Sequence, residues 1–200
     1  MDDLLIPQNL STLPRYTSLI GIGIMLGLAV MIQRTRGVYR AGKIIDVGLA
    51  GVIGGVIVAR AVHVWVHWTY FQAHTDEITR LRAGGLDWHG AVIGALLAMV
   101  LMARMRGVMF RRLLMPMALV LPLVGLMAWW GCYEAQCSYG AEVENLSYHP
   151  AWQVWEAPDI FNISAPRYRT QQIGMALSIG LLILAGSVTL YTRRRKRHYP

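Results

Sequence analysis

Acidic side chains are scarce in this sequence, and so is charge as a whole. Asp and Glu number 11 against 19 Lys and Arg, and charged residues make up 15% of the 200. With 55% hydrophobic residues and a mean hydropathy of +0.41, the composition excludes an ordinary soluble domain. Cysteine is nearly absent: Cys132 and Cys137 are too few for a disulfide framework. A basic opening to the first apolar run is missing too. Asp2 and Asp3 stand there instead and no small-residue cleavage site follows, so no cleavable signal peptide is expected. The net charge of +8 would suit nucleic acid if the basic residues formed one mixed surface patch. They lie instead in short clusters between apolar runs, so no nucleic-acid partner is expected. The apolar runs carry few polar residues beyond Asp46 and Arg60, which leaves little for a solute channel or transporter.

What is present is long apolar sequence. Five stretches, at about 17–33, 44–66, 86–103, 113–130 and 172–191, are long enough, or nearly so, to cross roughly 30 Å of hydrocarbon as helix. The expected fold is all-α, a polytopic membrane helix bundle of about five transmembrane helices. It forms a single membrane domain over residues 1–200, with an external segment at about 131–171 between helices four and five. That segment carries Glu134, Glu142, Glu144, Glu156 and Asp159 and is longer than most connections, so it reads as functional or as a small external subdomain.

Charge predicts the orientation. Arg34, Arg36, Arg40 and Lys43 follow the first stretch, and Arg104, Arg106, Arg111 and Arg112 follow the third. Arg193, Arg194, Arg195, Lys196 and Arg197 follow the fifth. All three clusters fall on one side of a five-span chain, and the positive-inside rule makes that side cytoplasmic, with the N-terminus outside and the C-terminus inside. The basic tail then reads as a stop-transfer anchor meeting anionic lipid.

The chain is organised around residues 82–103, RAGGLDWHGAVIGALLAMVLMA. Gly84 and Gly85 read as a turn feeding a helix, and Gly90 and Gly94 keep one face of that helix thin. His89 stands at the mouth of the apolar run, either as an interfacial histidine that caps or packs or as a chemical group. Arg60 lies inside the second stretch, where charge costs about 3 kcal/mol on insertion scales, and so requires a partner. Asp46, Asp87 or a lipid phosphate would serve. His63 and His67 are four apart on one helix face, within a belt of Trp65, Trp68 and Tyr70, but no third ligand is near and no metal is expected. Arg167 and Arg169, after Pro166, run against the positive-inside bias. They read as snorkelling helix-end cations or as a clamp for an anionic headgroup. Cys132 and Cys137, spaced C-x4-C, are structural thiols by default, with pairing open to them in an oxidising exterior.

Several stretches, in order, resemble the bacterial prolipoprotein diacylglyceryl transferases. GGLDWHG at 84–90 resembles that family's GG-x-S-F-H-G, and GGVIVARAVHVWVHWTYF at 54–71 resembles its second helix. Tyr16 after Arg15 resembles the tyrosine opening its first helix. AWWGCYEAQCSYG at 128–140 resembles the signature loop G-R-I-G-[NC]-F-x-x-G-x-x-[YW]-G, and PRYRTQQIG at 166–174 resembles PR-[HY]-P-[ST]-Q-L-Y-E.

The resemblance implies transfer of a diacylglyceryl group from phosphatidylglycerol to the thiol of a lipobox cysteine, with glycerol phosphate released. It implies a bacterial plasma-membrane, multi-pass location, no cofactor, and the prolipoprotein lipobox peptide, phosphatidylglycerol and the lipid bilayer as partners. His89 matches the motif histidine, a candidate base, and Tyr16 the substrate-site tyrosine. Arg60, Arg167, Gln171, Gly140, Gly84 and Gly85 are the substrate-binding candidates. The sequence also departs from the family pattern. Trp129 stands where the signature has arginine, Arg169 where the box has proline, and Gly174 where it has glutamate. Family members continue for two further spans, so this reads as a divergent, shortened member. A non-catalytic relative binding phospholipid or lipoprotein is the competing reading.

Overall fold

A computed structural model describes residues 13–81, 84–158 and 163–198, with side chains described from 15 to 192 within those ranges. Asp2, Asp3, Arg82, Ala83 and Asp159 lie outside the described residues, as do the side chains of the basic tail from Arg193 to Arg197.

Among the described residues, five helices are long and apolar enough to cross a membrane: α1 (Leu13–Thr35), α2 (Ala41–Val66), α4 (Trp88–Met105), α5 (Arg111–Glu134) and α6 (Thr170–His198, apolar to Thr192). A single turn of helix, α3 (Trp68–Phe71), follows α2. Each span matches an apolar stretch of the sequence because continuous hydrophobicity needs a conformation that satisfies every backbone group internally. The helices outrun the apolar stretches where polar or aromatic residues still suit the interface, as at Gly131 to Glu134. The segment between α5 and α6 is therefore residues 135–169. It holds a feature the all-helical expectation lacked, an antiparallel pair of strands, β1 (Val154–Pro158) and β2 (Ser164–Tyr168). Trp155 pairs with Arg167 in its register, and Glu142 bridges to Arg167 from the other edge.

By contact the chain divides into two compact units, residues 31–114 and residues 1–30 with 115–200. In the first, α2 packs on α4 so closely that a Cβ at Gly94 would run into the carbonyl oxygen of Gly54 and the side chain of Val58. Small residues spaced along both helices permit that approach, which in lipid supplies association that hydrophobicity cannot. Ile44, Val47, Ala59 and Ala103 are buried there. Asp87 caps α4, its Oδ1 accepting from Gly90 N at 2.8 Å. Gly107, at φ +65°, ends the helix, with Val108 N donating to Ala103 O at 2.8 Å. In the second unit Val120, Val124 and Met127 of α5 pack against Gly23 and Gly27 of α1.

Candidate functional site

The motif residues fall in both units. In the first, the loop that precedes α4 folds back over α2, anchored by Asp87 N donating to Ala59 O at 3.1 Å. Arg60 is 8% exposed and directs its guanidinium into this loop. Its Nε donates to Ile78 O at 2.9 Å, Nη2 to Glu77 O at 2.6 Å, and Nη1 to Gly84 O and Gly85 O at 2.8 and 3.1 Å. The ring of Phe71 lies 5.2 Å from the guanidinium carbon. Neither Asp46 nor Asp87 is its partner. Asp46 pairs with Arg106 at 2.8 Å, and Asp87 is occupied as the cap of α4. The physical reason is geometric: a planar cation with five donors is satisfied by carbonyls converging from a turn, and a buried guanidinium needs most of its donors met.

Gly84 and Gly85 make that convergence possible. Both have left-handed φ, +84° and +74°. At Gly85 a Cβ would lie 2.6 Å from both Arg60 Nη1 and His63 Nε2, so only glycine lets the turn close over these two side chains. His63 and His67 have ring centroids 4.4 Å apart, and His67 Nδ1 meets His63 O at 3.0 Å. Among the described residues no group of three His, Cys, Asp or Glu gathers as metal ligands.

His89 stands one residue beyond the cap, its side chain 85% exposed. Its Nδ1 is 3.7 Å from Asp87 Oδ1, too long for a hydrogen bond. An exposed histidine held at a helix mouth beside a fixed carboxylate is able to take a proton from an incoming group. Beside Arg60, a cleft of about 640 Å³ opens between α2 and the loop after α3, lined by Ile57, Val64, Trp65, Trp68, Ile78 and Leu81.

In the second unit the residues after α5 turn sharply. Gln136 and Ser138 have φ of +53° and +51°, and Cys132 and Cys137 are joined in a disulfide with Cα atoms 4.6 Å apart. Of the two states the sequence left open for these cysteines, the structure shows the paired one. The end of α5 and the left-handed residues after it bring the pair together. Gln171 is buried and clamps this loop, its Nε2 donating to Cys137 O at 2.6 Å and Cys132 O at 3.3 Å. Gly140 packs against the Tyr168 carbonyl and the Thr170 hydroxyl with no room for a side chain.

Arg167 is 5% exposed, donates to Glu142 at 2.6 Å, and lies 4.6 Å over the Tyr139 ring. Its charge is thus met inside the 135–169 segment. Arg169 stacks on Trp155 at 5.2 Å and borders a second cleft on α6. Tyr16 packs against Gly131, where a Cβ would lie 2.9 Å from its ring. The indole of Trp129, at the position of the signature arginine, presses on Gly174, at the position of the box glutamate. Sequence reasoning named both departures but had no means of joining them.

These features define a multi-pass membrane protein with an exposed histidine at a helix mouth, a carbonyl-bound buried arginine and a disulfide-closed, arginine-bearing segment between its last two spans. The chain belongs to the prolipoprotein diacylglyceryl transferase family, whose model matches residues 9–199. It is 32% identical over 130 residues to a phosphatidylglycerol-prolipoprotein diacylglyceryl transferase of Bacillus licheniformis, covering 64% of this chain and 48% of that protein. It is 33% identical over 146 residues to one of Geobacillus kaustophilus, covering 68% and 53%. It is 24% identical over 153 residues to one of Clostridioides difficile, covering 70% and 62%. The chain thus spans about half the length of these relatives. Five apolar spans and bacterial relatives of this family identify a multi-pass protein of the bacterial membrane.

Proposed function

We propose that the protein transfers a diacylglyceryl group from phosphatidylglycerol to a lipobox cysteine thiol. The observation that carries the reading is His89, in the family's motif position, exposed at the mouth of α4 with Asp87 3.7 Å away. His89 takes the thiol proton, and the sulfur forms a bond to the glycerol carbon. The bond from that carbon to the phosphate oxygen breaks with its electron pair on oxygen, and glycerol phosphate leaves with the proton. Arg60, Gly84 and Gly85 act by shaping the loop ahead of His89. Arg60 spends four of its hydrogen bonds on loop carbonyls, which supports a positioning role rather than direct contact with phosphate. Gln171 and Gly140 hold the disulfide-closed loop in the same sense, and Arg167 and Tyr16 are the remaining substrate-side candidates.

We also infer the orientation with the N-terminus outside. It is supported by the Cys132–Cys137 disulfide, a bond that persists in oxidising compartments, in the segment opposite the three basic clusters.

The test is transfer of labelled diacylglyceryl from phosphatidylglycerol to a lipobox peptide by the purified chain in vesicles. Turnover that falls by about 10²-fold or more with His89→Ala establishes the reading. Trp129 seated on Gly174, where the family has arginine and glutamate, supports the second reading of a non-catalytic relative. Saturable lipid binding with no turnover would establish that reading instead.

A further inference from the structure

Two histidines at the end of α2 lie beside the turn that leads to His89. His63 lays the edge of its ring on Gly85, where a Cβ would stand 2.6 Å from Nε2 and 2.7 Å from Cδ2. The same point is 2.6 Å from Arg60 Nη1, so the two nitrogens lie within about 5 Å of each other. The His67 ring follows at 4.4 Å from that of His63, and its Nδ1 donates to His63 O at 3.0 Å. Because a carbonyl only accepts, that nitrogen carries a hydrogen and a further proton enters at Nε2. Phe71 meets the His63 ring edge-on at 5.9 Å and adds no charge.

These surroundings suit the two rings only while both are neutral. A proton on His63 sets a second positive charge within about 5 Å of the guanidinium, and one on His67 adds a third beside it. The nearby carboxylates are engaged elsewhere. Asp87, whose charge reaches His63, accepts from Gly90 N at 2.8 Å as the cap of α4. Glu77 takes the Tyr70 hydroxyl at 2.9 Å, and Asp76 pairs with Arg80 at 2.8 Å. His89, on the first turn of α4, faces solvent. Arg60 keeps its charge and is held by the carbonyls of Glu77, Ile78, Gly84 and Gly85. What can yield is the turn at 84–87, which lies directly over both side chains.

We propose that His63 is a positioning residue for the 84–87 turn ahead of His89, and that protonation of the His63–His67 pair releases that turn. With both rings neutral, His63 packs under Gly85 and the turn stays docked on α2. As pH falls through the ordinary histidine range, near about 6.5, the gathered cations repel and the turn lifts. The released turn takes the proton more readily than the docked one, so docking is full above that range and lost below it. The consequence for transfer rests on His89 as the base, whereas the release of the turn does not.

The experiment is hydrogen exchange of the full-length purified chain in phosphatidylcholine nanodiscs, one pH unit above and one below about 6.5. It reads the amides of Gly84 and Asp87, which bond to Leu81 O and Ala59 O, each rate divided by the unstructured rate at the same pH. Protection in the wild type falls by about tenfold at most, since a proton taken only by the released form shifts the balance one decade per pH unit below about 6.5. In His63→Gln, whose side chain takes no proton in this range, protection is the same at both pH values. His89→Ala keeps the wild-type response, which separates this inference from the outcome of the turnover assay. Histidine-selective NMR of the wild type gives a second reading that does not depend on a variant folding: the two amides change together with the His63 and His67 rings. Constant protection in the wild type, a fall that persists in folded His63→Gln, or amides that follow a ring other than these two would overturn the proposal. So would a response lost in His89→Ala, which would assign it to His89 itself.

Discussion

The indole of Trp129 lies so close to the Cα of Gly174 that a Cβ built there would collide with three of its atoms, Cε2, Cδ2 and Nε1. Two of the three departures from the family's motifs, Trp129 and Gly174, are therefore one feature: a large ring lies against a position that carries no side chain. Gly174→Ala forces the indole to move and is expected to cost about 1–3 kcal/mol, the range for overpacking. In a Trp129→Ala background the same change is expected to cost little. Thermal unfolding of the four variants of this cycle measures the coupling, and additive effects would disprove the contact.

Arg60→Met removes the cation that gathers the carbonyls of Glu77, Ile78, Gly84 and Gly85. Several buried acceptors lose their donor at once, so a loss of about 3 kcal/mol or more is expected. Hydrogen exchange should quicken at Gly84 and Asp87, whose amides close this loop through Leu81 O and Ala59 O. Unchanged exchange there would show that Arg60 does not hold the loop.

Gly84 and Gly85 separate backbone strain from steric conflict. A Cβ at Gly84 meets nothing within 4 Å, so Gly84→Ala carries only the left-handed penalty of about 1–2 kcal/mol. Gly85→Ala carries that penalty and also strikes Arg60 and His63, so it should be the more destabilising of the two. Equal melting temperatures would contradict this.

Reducing Cys132–Cys137, or replacing both with serine, opens a short loop. The chain-entropy estimate for closing six residues is about 2 kcal/mol. Gln171→Ala, which removes the two bonds clamping that loop, should speed reduction of the disulfide. Alkylation after graded reductant, read by mass, checks both expectations.

The Tyr70 hydroxyl donates to Glu77 Oε2 at 2.9 Å, and that bond raises its pKa above the usual 10.0. A raised pKa means the bond supports the fold below pH 10 and that support is lost as pH climbs through the folded value. Ultraviolet titration should find this tyrosine ionising late, and Glu77→Gln should bring it back towards 10.

The amino-acid sequence by itself determined the five spans, the glycine turn before α4, and the position of His89 at its mouth. Those are local matters: apolar length selects a helix in lipid, and adjacent glycines supply the left-handed angles of a turn. The Asp87 cap of α4 came from the structure, since the sequence offered that carboxylate to Arg60 instead. Only the tertiary structure decided what meets what across the chain. Arg60 finds carbonyls up to 25 residues away rather than a carboxylate, because the glycine turn aims them at it. Trp129 meets Gly174, Arg167 meets Glu142, and Arg169 stacks on Trp155, each through a path that folds the 135–169 segment back on itself. The strand pair in that segment escaped notice because its strands are only five residues each and one reads Ser-Ala-Pro-Arg-Tyr, with little alternation to mark it. Partners so far apart in sequence leave no periodic trace, since their meeting depends on how the backbone turns between them.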